Sequence, residues 1–198
     1  LIIVVSNPAD IMTMAVRQVS GLPSERVIGT GTSLDTARFR HNLSEQLQVN
    51  VEDVNAYVLG EHGDSQVPIF SSANIGGCPL EVYASEVGVT LNYQEIAERT
   101  KNGGAEVIGL KGATFYGIAM AVSNIVETIM KDDNALLPVA HVLDDSFGDW
   151  AGVAVSLPCR IGWDGIVQTH KIPMNEEEKE KMDKSVQILK EFAEEALA

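Results

Sequence analysis

The first five residues, Leu1-Ile2-Ile3-Val4-Val5, constrain the fold most, because they are apolar without interruption and rich in β-branched side chains. Continuous runs of this kind are typical of parallel strands that are covered on both faces, whereas half-exposed strands alternate. A parallel strand needs hydrogen-bonded neighbours, and no candidate precedes this one. We therefore expect an α/β fold, and we expect the chain to be a piece of a longer protein.

The segment after this strand predicts a tight turn and then a helix. Asn7-Pro8 stands where a strand-to-helix turn is expected, and an X-Pro bond in such a turn is a candidate cis peptide. Apolar residues recur at helical spacing from Ala9 to Val19, and Gly21-Leu22-Pro23 ends the pattern. A second helix is expected from Ser33 to about Gln48.

Later segments predict long helices and antiparallel strands. The longest helical signal runs from about Gly104 to Lys131, and its second half is apolar nearly all round, as in a large core or an oligomer interface. Within it, Gly112 and Gly117 are expected to mark a kink or close packing. The apolar period then changes to two, and a strand from Val153 to Ile161 is expected to be buried on one side. Gly162-Trp163-Asp164-Gly165 predicts a hairpin turn. The acidic tail predicts a final helix with a solvated face, boxed at its start by Asn175 and Glu178.

Charge and composition exclude several classes of function. A net charge of −14 argues against a surface for nucleic acid or anionic membranes, since both call for clustered Lys and Arg. No stretch reaches the roughly eighteen apolar residues that a membrane span needs. Cys78 and Cys159 are too few for a disulfide framework or a metal site, and each stands beside a proline. We expect buried free thiols, no metal, and a reducing, cytoplasmic location.

The strongest candidate for chemistry is His62, which stands in the turn Gly60-Glu61-His62-Gly63-Asp64-Ser65 directly after an apolar run. An imidazole has an unperturbed pKa of about 6.5, so it can give or take a proton near neutral pH. The flanking glycines allow a sharp turn and the close approach of another molecule. By itself such a histidine is more often an ordinary loop residue, so its interpretation depends on its neighbours.

A helix that carries Asp35 and Arg38 can supply those neighbours. The two residues are three apart in the first turns of the second helix, so they project from the same side. A carboxylate favours imidazolium and fixes the ring, while an arginine fork matches a substrate carboxylate. Packed beside His62, this helix would serve a small acid with a hydroxyl or carbonyl next to its carboxylate. The alternative is a local surface pair, worth roughly a few tenths of a kcal/mol.

Several motifs together resemble the L-lactate/malate dehydrogenase family. They occur in the family's order and spacing, and they cover essentially the whole chain. The motifs are Ser6-Asn7-Pro8-Ala9-Asp10-Ile11, Arg26-Val27-Ile28-Gly29, Leu34-Asp35-Thr36-Ala37-Arg38-Phe39-Arg40, Leu59-Gly60-Glu61-His62-Gly63-Asp64-Ser65, Lys111-Gly112-Ala113-Thr114 and Ser156-Leu157-Pro158-Cys159. The resemblance is greatest to the substrate-binding portion of the family's bacterial, lactate-specific members.

The resemblance implies a division of the chain into two parts. Residues 1–20 would be the last strand and helix of a Rossmann dinucleotide-binding domain, and residues 21–198 would be the C-terminal catalytic and substrate domain with antiparallel strands and long helices. The family's glycine fingerprint and mobile specificity loop would precede Leu1. Gly29-Thr30-Gly31 is only half of a fingerprint, because position 34 is Leu. This chain alone is therefore expected not to bind NAD productively and to be inactive.

The resemblance also implies roles for the central polar residues. His62 would be the proton donor and acceptor, and Asp35 would orient it. Arg38 would grip the substrate carboxylate. Asn7 would hydrogen-bond the reacting oxygen and help to seat the nicotinamide ribose region. The cofactor would be NAD, and hydride transfer would interconvert a 2-keto acid and an L-2-hydroxy acid.

Three further positions bear on specificity and regulation. Thr114 matches a position that lines the substrate pocket, and a threonine there looks more like lactate than malate enzymes. Ile118 would pack near the nicotinamide ring. Arg40 matches an arginine with which many bacterial members bind fructose 1,6-bisphosphate, but Asn55 occupies the position of the histidine that completes that site. We therefore expect weak or no activation by this ligand.

The resulting hypothesis is an NAD-dependent L-lactate dehydrogenase that forms a homotetramer or homodimer in the cytoplasm. Within the same chemistry, the alternative is a malate or other L-2-hydroxy-acid dehydrogenase. The alternative from another class is a non-catalytic oligomerisation module, in which the long apolar helix and the helix after Thr32 serve only as subunit interfaces.

Overall fold

In the computed structural model, the structure describes residues 1–112 and 114–196. These residues form eight strands and six α-helices, with three short 3₁₀ segments between them. In chain order the elements are β1 (Ile2–Val4), α1 (Ala9–Ser20), β2 (Val27–Gly29), α2 (Ser33–Leu47), β3 (Val54–Leu59), β4 (Val67–Ile75), β5 (Cys78–Pro79), α3 (Leu80–Glu86), α4 (Tyr93–Lys111), α5 (Tyr116–Lys131), β6 (Ala135–Val142), β7 (Ala154–Gly162), β8 (Gly165–Thr169) and α6 (Glu176–Ala196).

The strands form two sheets, and the mixture of strands and helices confirms the expected α/β class. The larger sheet has the order β1-β2-β6-β7-β8, in which β1 and β2 are parallel and the other pairs are antiparallel. The smaller sheet, β3-β4-β5, is antiparallel. A backbone bridge between Gly60 and Ser156 ties the end of β3 to β7. This bridge brings the turn of His62 against the larger sheet.

Three apolar clusters hold the helices on these sheets. The first packs α1 and α6 against β4 and β7 through side chains such as Met14 and Leu189. The second packs α2, α3 and α4 on the smaller sheet, where Phe39 meets Phe70 edge to face. The third packs α5 on the larger sheet through Ile125 and its neighbours. In the part of the chain that the structure describes, no helix is both long and apolar enough to cross a membrane.

Local sequence signals are confirmed at both ends of the chain. The Asn7-Pro8 bond is cis and leads into α1. At the start of α6, the Asn175 side chain accepts a hydrogen bond from the Glu178 N–H at 2.8 Å, and the Glu178 carboxylate accepts one from the Asn175 N–H at 3.0 Å. This reciprocal pair is a capping box. The predicted hairpin also forms, with Gly162 paired to Gly165.

A single helix over residues 104–131 is wrong, because the segment breaks at Gly112, one of the two glycines expected to mark a kink or close packing. The helix α4 ends at Lys111, and α5 begins at Tyr116. Gly112 adopts a left-handed conformation with φ of 77°, and its N–H bonds back to the Ile108 carbonyl. Glycine is the residue that ends helices in this way at least cost, so a helix end stands where a kink or close packing was expected. Ala113, which belongs to one of the motifs, lies outside the described residues.

The expectation that β7 is buried on one side only is also wrong. Nearly every residue of β7 is buried, including Ser156, which is fully buried. The strand contacts α1 and α6 as well as α5, so helices cover it from both sides. Ser156 is satisfied within this layer, because its hydroxyl accepts a hydrogen bond from the Thr32 N–H at 3.0 Å. Small alternate residues thus mark a tightly covered strand rather than a solvated one.

Two smaller expectations need correction. Glu178 does not lie on a solvated acidic face, since it is buried and accepts hydrogen bonds from the N–H groups of Phe70 and Ser71 at 2.8 and 3.0 Å. Its carboxylate fastens α6 to β4, so one acid of the tail is structural. Cys159 is buried as expected, but Cys78 is only half-buried because it lies in the short strand β5.

A buried histidine on β6 makes the fold sensitive to acid. His141 is 5% exposed, and its Nε2 lies 2.7 Å from the Thr169 hydroxyl on β8. Burial lowers the pKa of His141 to about 4, against a weaker opposing effect of the Glu25 and Asp144 carboxylates. The unfolded chain therefore takes up a proton between pH 6.5 and about 4 that the folded chain does not.

We expect the free energy of unfolding of the complete protein to fall, relative to that of His141→Gln, as the pH drops from 6.5 to 4, because the folded state resists protonation of this histidine. The pKa difference corresponds to at most about 3 kcal/mol. Urea denaturation at pH 7 and pH 4.5 measures the change. The exposed His41 on α2 provides the control, since His41→Gln should keep the full acid sensitivity. An unchanged acid sensitivity in the His141 variant would contradict this assignment.

Candidate active site

The turn after β3 is shaped by a glycine whose backbone conformation is strained for other residues. Gly60 has a φ of 87°, and a Cβ atom there would lie 2.7 Å from the Ser185 hydroxyl on α6. The same hydroxyl accepts a hydrogen bond from the Glu61 N–H at 2.8 Å. A side chain at position 60 would therefore be strained and would push α6 away from the turn. The C-terminal helix thus helps to hold the backbone that carries His62.

The acidic residue before the histidine closes the turn on itself. The Glu61 carboxylate accepts a hydrogen bond from the Ser65 N–H at 3.2 Å and another from the Ser65 hydroxyl. Ser65 also lies within 3.0 Å of the Ser185 hydroxyl. These contacts give the loop a fixed conformation although it contains two glycines. Glu61 and Ser65 are therefore structural parts of the site that the sequence motifs alone did not reveal, and their four-residue spacing across His62 is the signal that marks them.

The structure brings His62, Asp35 and Arg38 together. The Nδ1 atom of His62 lies 2.6 Å from Oδ2 of Asp35, and Nη1 of Arg38 donates to Oδ1 of the same carboxylate at 3.2 Å. Asp35 is 2% exposed, whereas the His62 side chain is 27% exposed. One buried carboxylate therefore joins the histidine and the arginine. The alternative of an isolated Asp–Arg surface pair does not describe this buried, three-membered group.

The protonation of His62 follows from these contacts. The hydrogen bond to Asp35 raises the pKa of His62 above its ordinary value, and burial opposes this effect. The carboxylates of Asp35 and Asp10 add electrostatic attraction for the imidazolium, and Arg38 weakens it. With Nδ1 engaged by a carboxylate acceptor, Nδ1 holds a proton and Nε2 is the atom that can exchange one. The ring is thus oriented for acid–base chemistry.

Asp10 is a further member of the site, although no sequence pattern around it predicts a role. It lies on α1, is 2% exposed, and accepts a hydrogen bond from the His62 N–H at 2.7 Å. Burial raises the pKa of Asp10 to about 7. The hydrogen bond from the His62 N–H and the electrostatic attraction of His62 lower the pKa, but less than burial raises it. A cavity of about 280 Å³ between α1 and α6, lined by apolar residues such as Leu189 and Phe192, borders this carboxyl group. Only its place in a quoted motif could have pointed to it, because the contact spans fifty-two residues.

The other predicted site residues lie outside this hydrogen-bonded group. Asn7 is exposed just beyond the end of β1, Thr114 is half-buried between α4 and α5, and Ile118 is half-buried on α5. Within the described residues, the hydrogen bonds of His62, Asp35 and Arg38 do not extend to them. Asn7 nevertheless precedes Asp10 by only three residues along the chain.

Arg40 points to a different place from Arg38. Its Nε donates to the Ala56 carbonyl at 2.9 Å, and its guanidinium lies 5.2 Å from the centre of the Tyr57 ring. The neighbouring Asn55 side chain donates to Asn74 across the smaller sheet at 3.3 Å. Among residues 1–112 and 114–196, no group of three or more His, Cys, Asp or Glu side chains is placed to hold a metal ion.

The fold and the site together define a class of protein. The site places an oriented histidine, which can exchange a proton, beside an arginine, which can bind a carboxylate. The family of lactate/malate dehydrogenases, in its alpha/beta C-terminal domain, matches residues 32–198. The chain therefore belongs to the lactate/malate dehydrogenase family.

Individual relatives agree with this membership. The chain is 43% identical to an L-lactate dehydrogenase of Streptococcus mutans, with 100% of this chain and 61% of the relative aligned. It is 42% identical to an L-lactate dehydrogenase of Acetivibrio thermocellus, with 97% of this chain and 61% of the relative aligned. The chain thus spans about three fifths of the length of these curated relatives.

Solved structures show the same similarity in three dimensions. A minor L-lactate dehydrogenase from Enterococcus mundtii, crystallised in a ligands-bound form, superposes with a TM-score of 0.91 at 35% identity. That match covers 98% of this chain and 62% of the other. An L-lactate dehydrogenase from Clostridium thermocellum superposes with a TM-score of 0.89 at 40% identity, covering 99% of this chain and 65% of the other.

The site makes a testable prediction about the pKa of His62. Replacing Asp35 by Asn should lower this pKa more than replacing Asp10 by Asn, because Asp35 provides the hydrogen bond to the ring whereas Asp10 provides only its charge. Histidine ring signals followed by NMR from pH 5 to pH 9 measure the shift in the complete protein. The control is His41→Gln on the exposed face of α2, which should leave the ring signals of His62 unchanged. A larger shift in the Asp10 variant would refute the order of these two contributions.

Proposed function

We propose that the protein containing this chain is an NAD-dependent L-lactate dehydrogenase, which interconverts pyruvate and L-lactate with His62 as the acid–base group. The observation that carries the proposal is the single Asp35 carboxylate that binds His62 through one oxygen and Arg38 through the other. Proton transfer and substrate binding then occur side by side, as reduction of a 2-keto acid requires. The L-lactate dehydrogenases among its relatives support this choice of reaction.

In the direction of pyruvate reduction, His62 donates the proton from Nε2 to the keto oxygen. The ionised Asp35 stabilises the imidazolium before transfer and holds the ring in place as it becomes neutral. Arg38 binds the pyruvate carboxylate with its planar guanidinium, which fixes the keto carbon relative to the ring. In the direction of lactate oxidation, neutral His62 accepts the proton of the hydroxyl group. The raised pKa of His62 suits the donor role near neutral pH.

NAD, when bound, accepts or supplies the hydride at the carbon next to the carboxylate. We propose that Asn7 and Ile118 meet its nicotinamide end. Asn7 lies just beyond the carboxyl end of β1, which is parallel to β2, and ligands of open α/β sheets bind at that edge. Within this proposal, residues 1–20 are the end of the dinucleotide-binding domain, and residues 21–198 are the substrate domain.

Thr114 supports lactate rather than malate as the substrate. A four-carbon dicarboxylate needs a cation for its second carboxylate, whereas a methyl group needs only a small pocket. Thr114 offers no charge and lies half-buried after α4. Malate or another L-2-hydroxy acid is the alternative within the same chemistry.

The surface of α5 supports a homo-oligomer, which we propose to be a homotetramer or homodimer. Its exposed apolar side chains are Tyr116, Met120, Val126 and Met130. An apolar surface of this kind is typical of an interface between subunits. The free thiols of Cys78 and Cys159 fit a reducing compartment, so we propose a cytoplasmic location.

Replacing His62 by Asn in the complete protein should reduce kcat for NADH-dependent pyruvate reduction by roughly 10²- to 10⁴-fold, the range that general acid–base catalysis supplies. The oligomeric state, measured by light scattering, should not change. A non-catalytic oligomerisation module would show no NADH-dependent turnover in either protein.

The control for this substitution is His41→Asn, which changes an exposed histidine on α2 and should leave kcat unaltered. Pyruvate and oxaloacetate, assayed side by side, separate the two substrates. A higher kcat/KM for oxaloacetate than for pyruvate would identify a malate dehydrogenase instead of a lactate dehydrogenase. The proposed role of His62 would be the same in both.

Fructose 1,6-bisphosphate should activate the complete protein weakly or not at all. Asn55 offers no positive charge beside Arg40, and the Arg40 side chain already binds the Ala56 carbonyl and covers Tyr57. Pyruvate reduction at low substrate concentration, with and without millimolar ligand, tests this expectation. Strong activation that disappears in Arg40→Gln would contradict it.

A further inference from the structure

Two consecutive glycines stand in the middle of α4, where glycine is unfavourable. Gly103 and Gly104 have helical partners on both sides, since α4 runs from Tyr93 to Lys111. Glycine loses more backbone freedom than alanine when it enters a helix, so a pair of them weakens the element that contains it. Glycine in a helix is explained when another group approaches the backbone so closely that a side chain would not fit.

The space that this pair leaves open is occupied by Arg38. A Cβ atom at position 103 would lie 3.1 Å from Cδ and 3.2 Å from Nε of Arg38, which is closer than ordinary van der Waals contact. A Cβ atom at position 104 would lie 3.6 Å from both Nη atoms, which is ordinary contact. The arginine side chain therefore runs across the bare backbone of α4.

A third glycine in the same helix shows that this contact is specific to the pair. Around Gly109, a Cβ atom would meet nothing within 4 Å among the described residues. Gly109 shares the helix, the residue type and the cost in helix stability, but it has no contact with Arg38. The chain thus provides its own matched control.

Arg38 is held from two sides by different elements. Its Nη1 donates to Asp35 on its own helix at 3.2 Å, and its methylene and Nε portion lies against α4. The side chain of Arg38 is 21% exposed, so the guanidinium remains accessible from one direction. An ion pair of 3.0 Å between Lys101 and Asp64 also joins α4 to the turn of His62. The position of α4 therefore sets where the guanidinium stands relative to the histidine.

We propose that Gly103 and Gly104 form a seat that positions the Arg38 guanidinium for the substrate carboxylate. This inference rests on the proposed function, in which Arg38 binds that carboxylate. The glycines are positioning residues, because they act through Arg38 and do not touch the substrate. A methyl group at 103 displaces the side chain by a few tenths of an ångström or forces it to another rotamer. A methyl group at 104 displaces it less.

The seat predicts a separation between substrate affinity and turnover. Displaced Arg38 meets the carboxylate in a poorer bidentate geometry, which raises KM. The ring of His62 is held by the other oxygen of Asp35 and by the turn, so proton transfer changes less. Alanine also favours the helix, so the loss of affinity comes without a loss of stability.

The test compares Gly103→Ala, Gly104→Ala and Gly109→Ala in the complete protein. We expect Gly103→Ala to raise KM for pyruvate roughly 3- to 10-fold, Gly104→Ala to raise it less, and Gly109→Ala to leave it unchanged, since misplacement of a binding group by a fraction of an ångström costs this much. The melting temperature should not fall in any of them. Equal KM values in the Gly103 and Gly109 variants would overturn the seat.

A second measurement separates this inference from the proposed function. The Nε–H NMR signal of Arg38, assigned with Arg38→Lys, should shift in Gly103→Ala and stay in place in Gly109→Ala. If the complete wild-type protein reduces no 2-keto acid, the proposed function fails. The NMR signal still tests whether the glycine pair positions Arg38. An unshifted signal in Gly103→Ala overturns the inference whatever the activity of the wild type.

Discussion

The site depends on one buried carboxylate, that of Asp35, which binds His62 on one oxygen and Arg38 on the other. Its place is fixed by α2, whose first turns are fastened to β3: the Thr32 hydroxyl donates to the Val58 carbonyl at 2.5 Å, and the Val58 N–H donates to the Thr36 hydroxyl at 2.9 Å. A carboxylate buried to this extent is stable only with charged or hydrogen-bonding partners. The acid–base group and the substrate clamp are therefore coupled through the structure, and neither can move without disturbing the other.

Two buried carboxyl groups approach the same histidine but behave differently. Asp35 contacts the ring, whereas Asp10 contacts the backbone N–H of His62 and has a pKa raised to about 7 by burial. Because the folded state binds the proton of Asp10 more tightly than the unfolded state, this group favours folding below pH 7 and loses that contribution as the pH rises through 7. His141 has the opposite sign, since its pKa is lowered. Between about pH 4 and 6.5 the two groups therefore oppose each other, because a falling pH strengthens the contribution of Asp10 to folding and weakens that of His141.

Sequence patterns predicted those parts of the molecule that depend on neighbouring residues. The cis Asn7-Pro8 turn, the capping box of α6 and the hairpin at Gly162 follow from local backbone preferences, and each forms. The side-by-side placement of Asp35 and Arg38 follows from helix geometry.

Local patterns failed where packing decided the outcome. The apolar character of residues 104–131 favours a kink or close packing at Gly112 over a complete break, and the alternation in β7 concealed a strand that helices cover on both sides. Buried Glu178 resembled the solvated acids around it, because nothing in the tail shows which acid faces β4.

By itself, the sequence determined the α/β class, membership of a family with recognisable motifs, and the three residue types that the chemistry needs. Only the tertiary structure decided that one carboxylate serves both His62 and Arg38, that Asp10 reaches the same turn from α1, and that the glycine pair of α4 lies under Arg38. The physical reason is distance along the chain. Residue type and helical spacing are local properties that a pattern records. A contact between elements dozens of residues apart depends on how sheets and helices pack, and this packing is settled by the whole core at once.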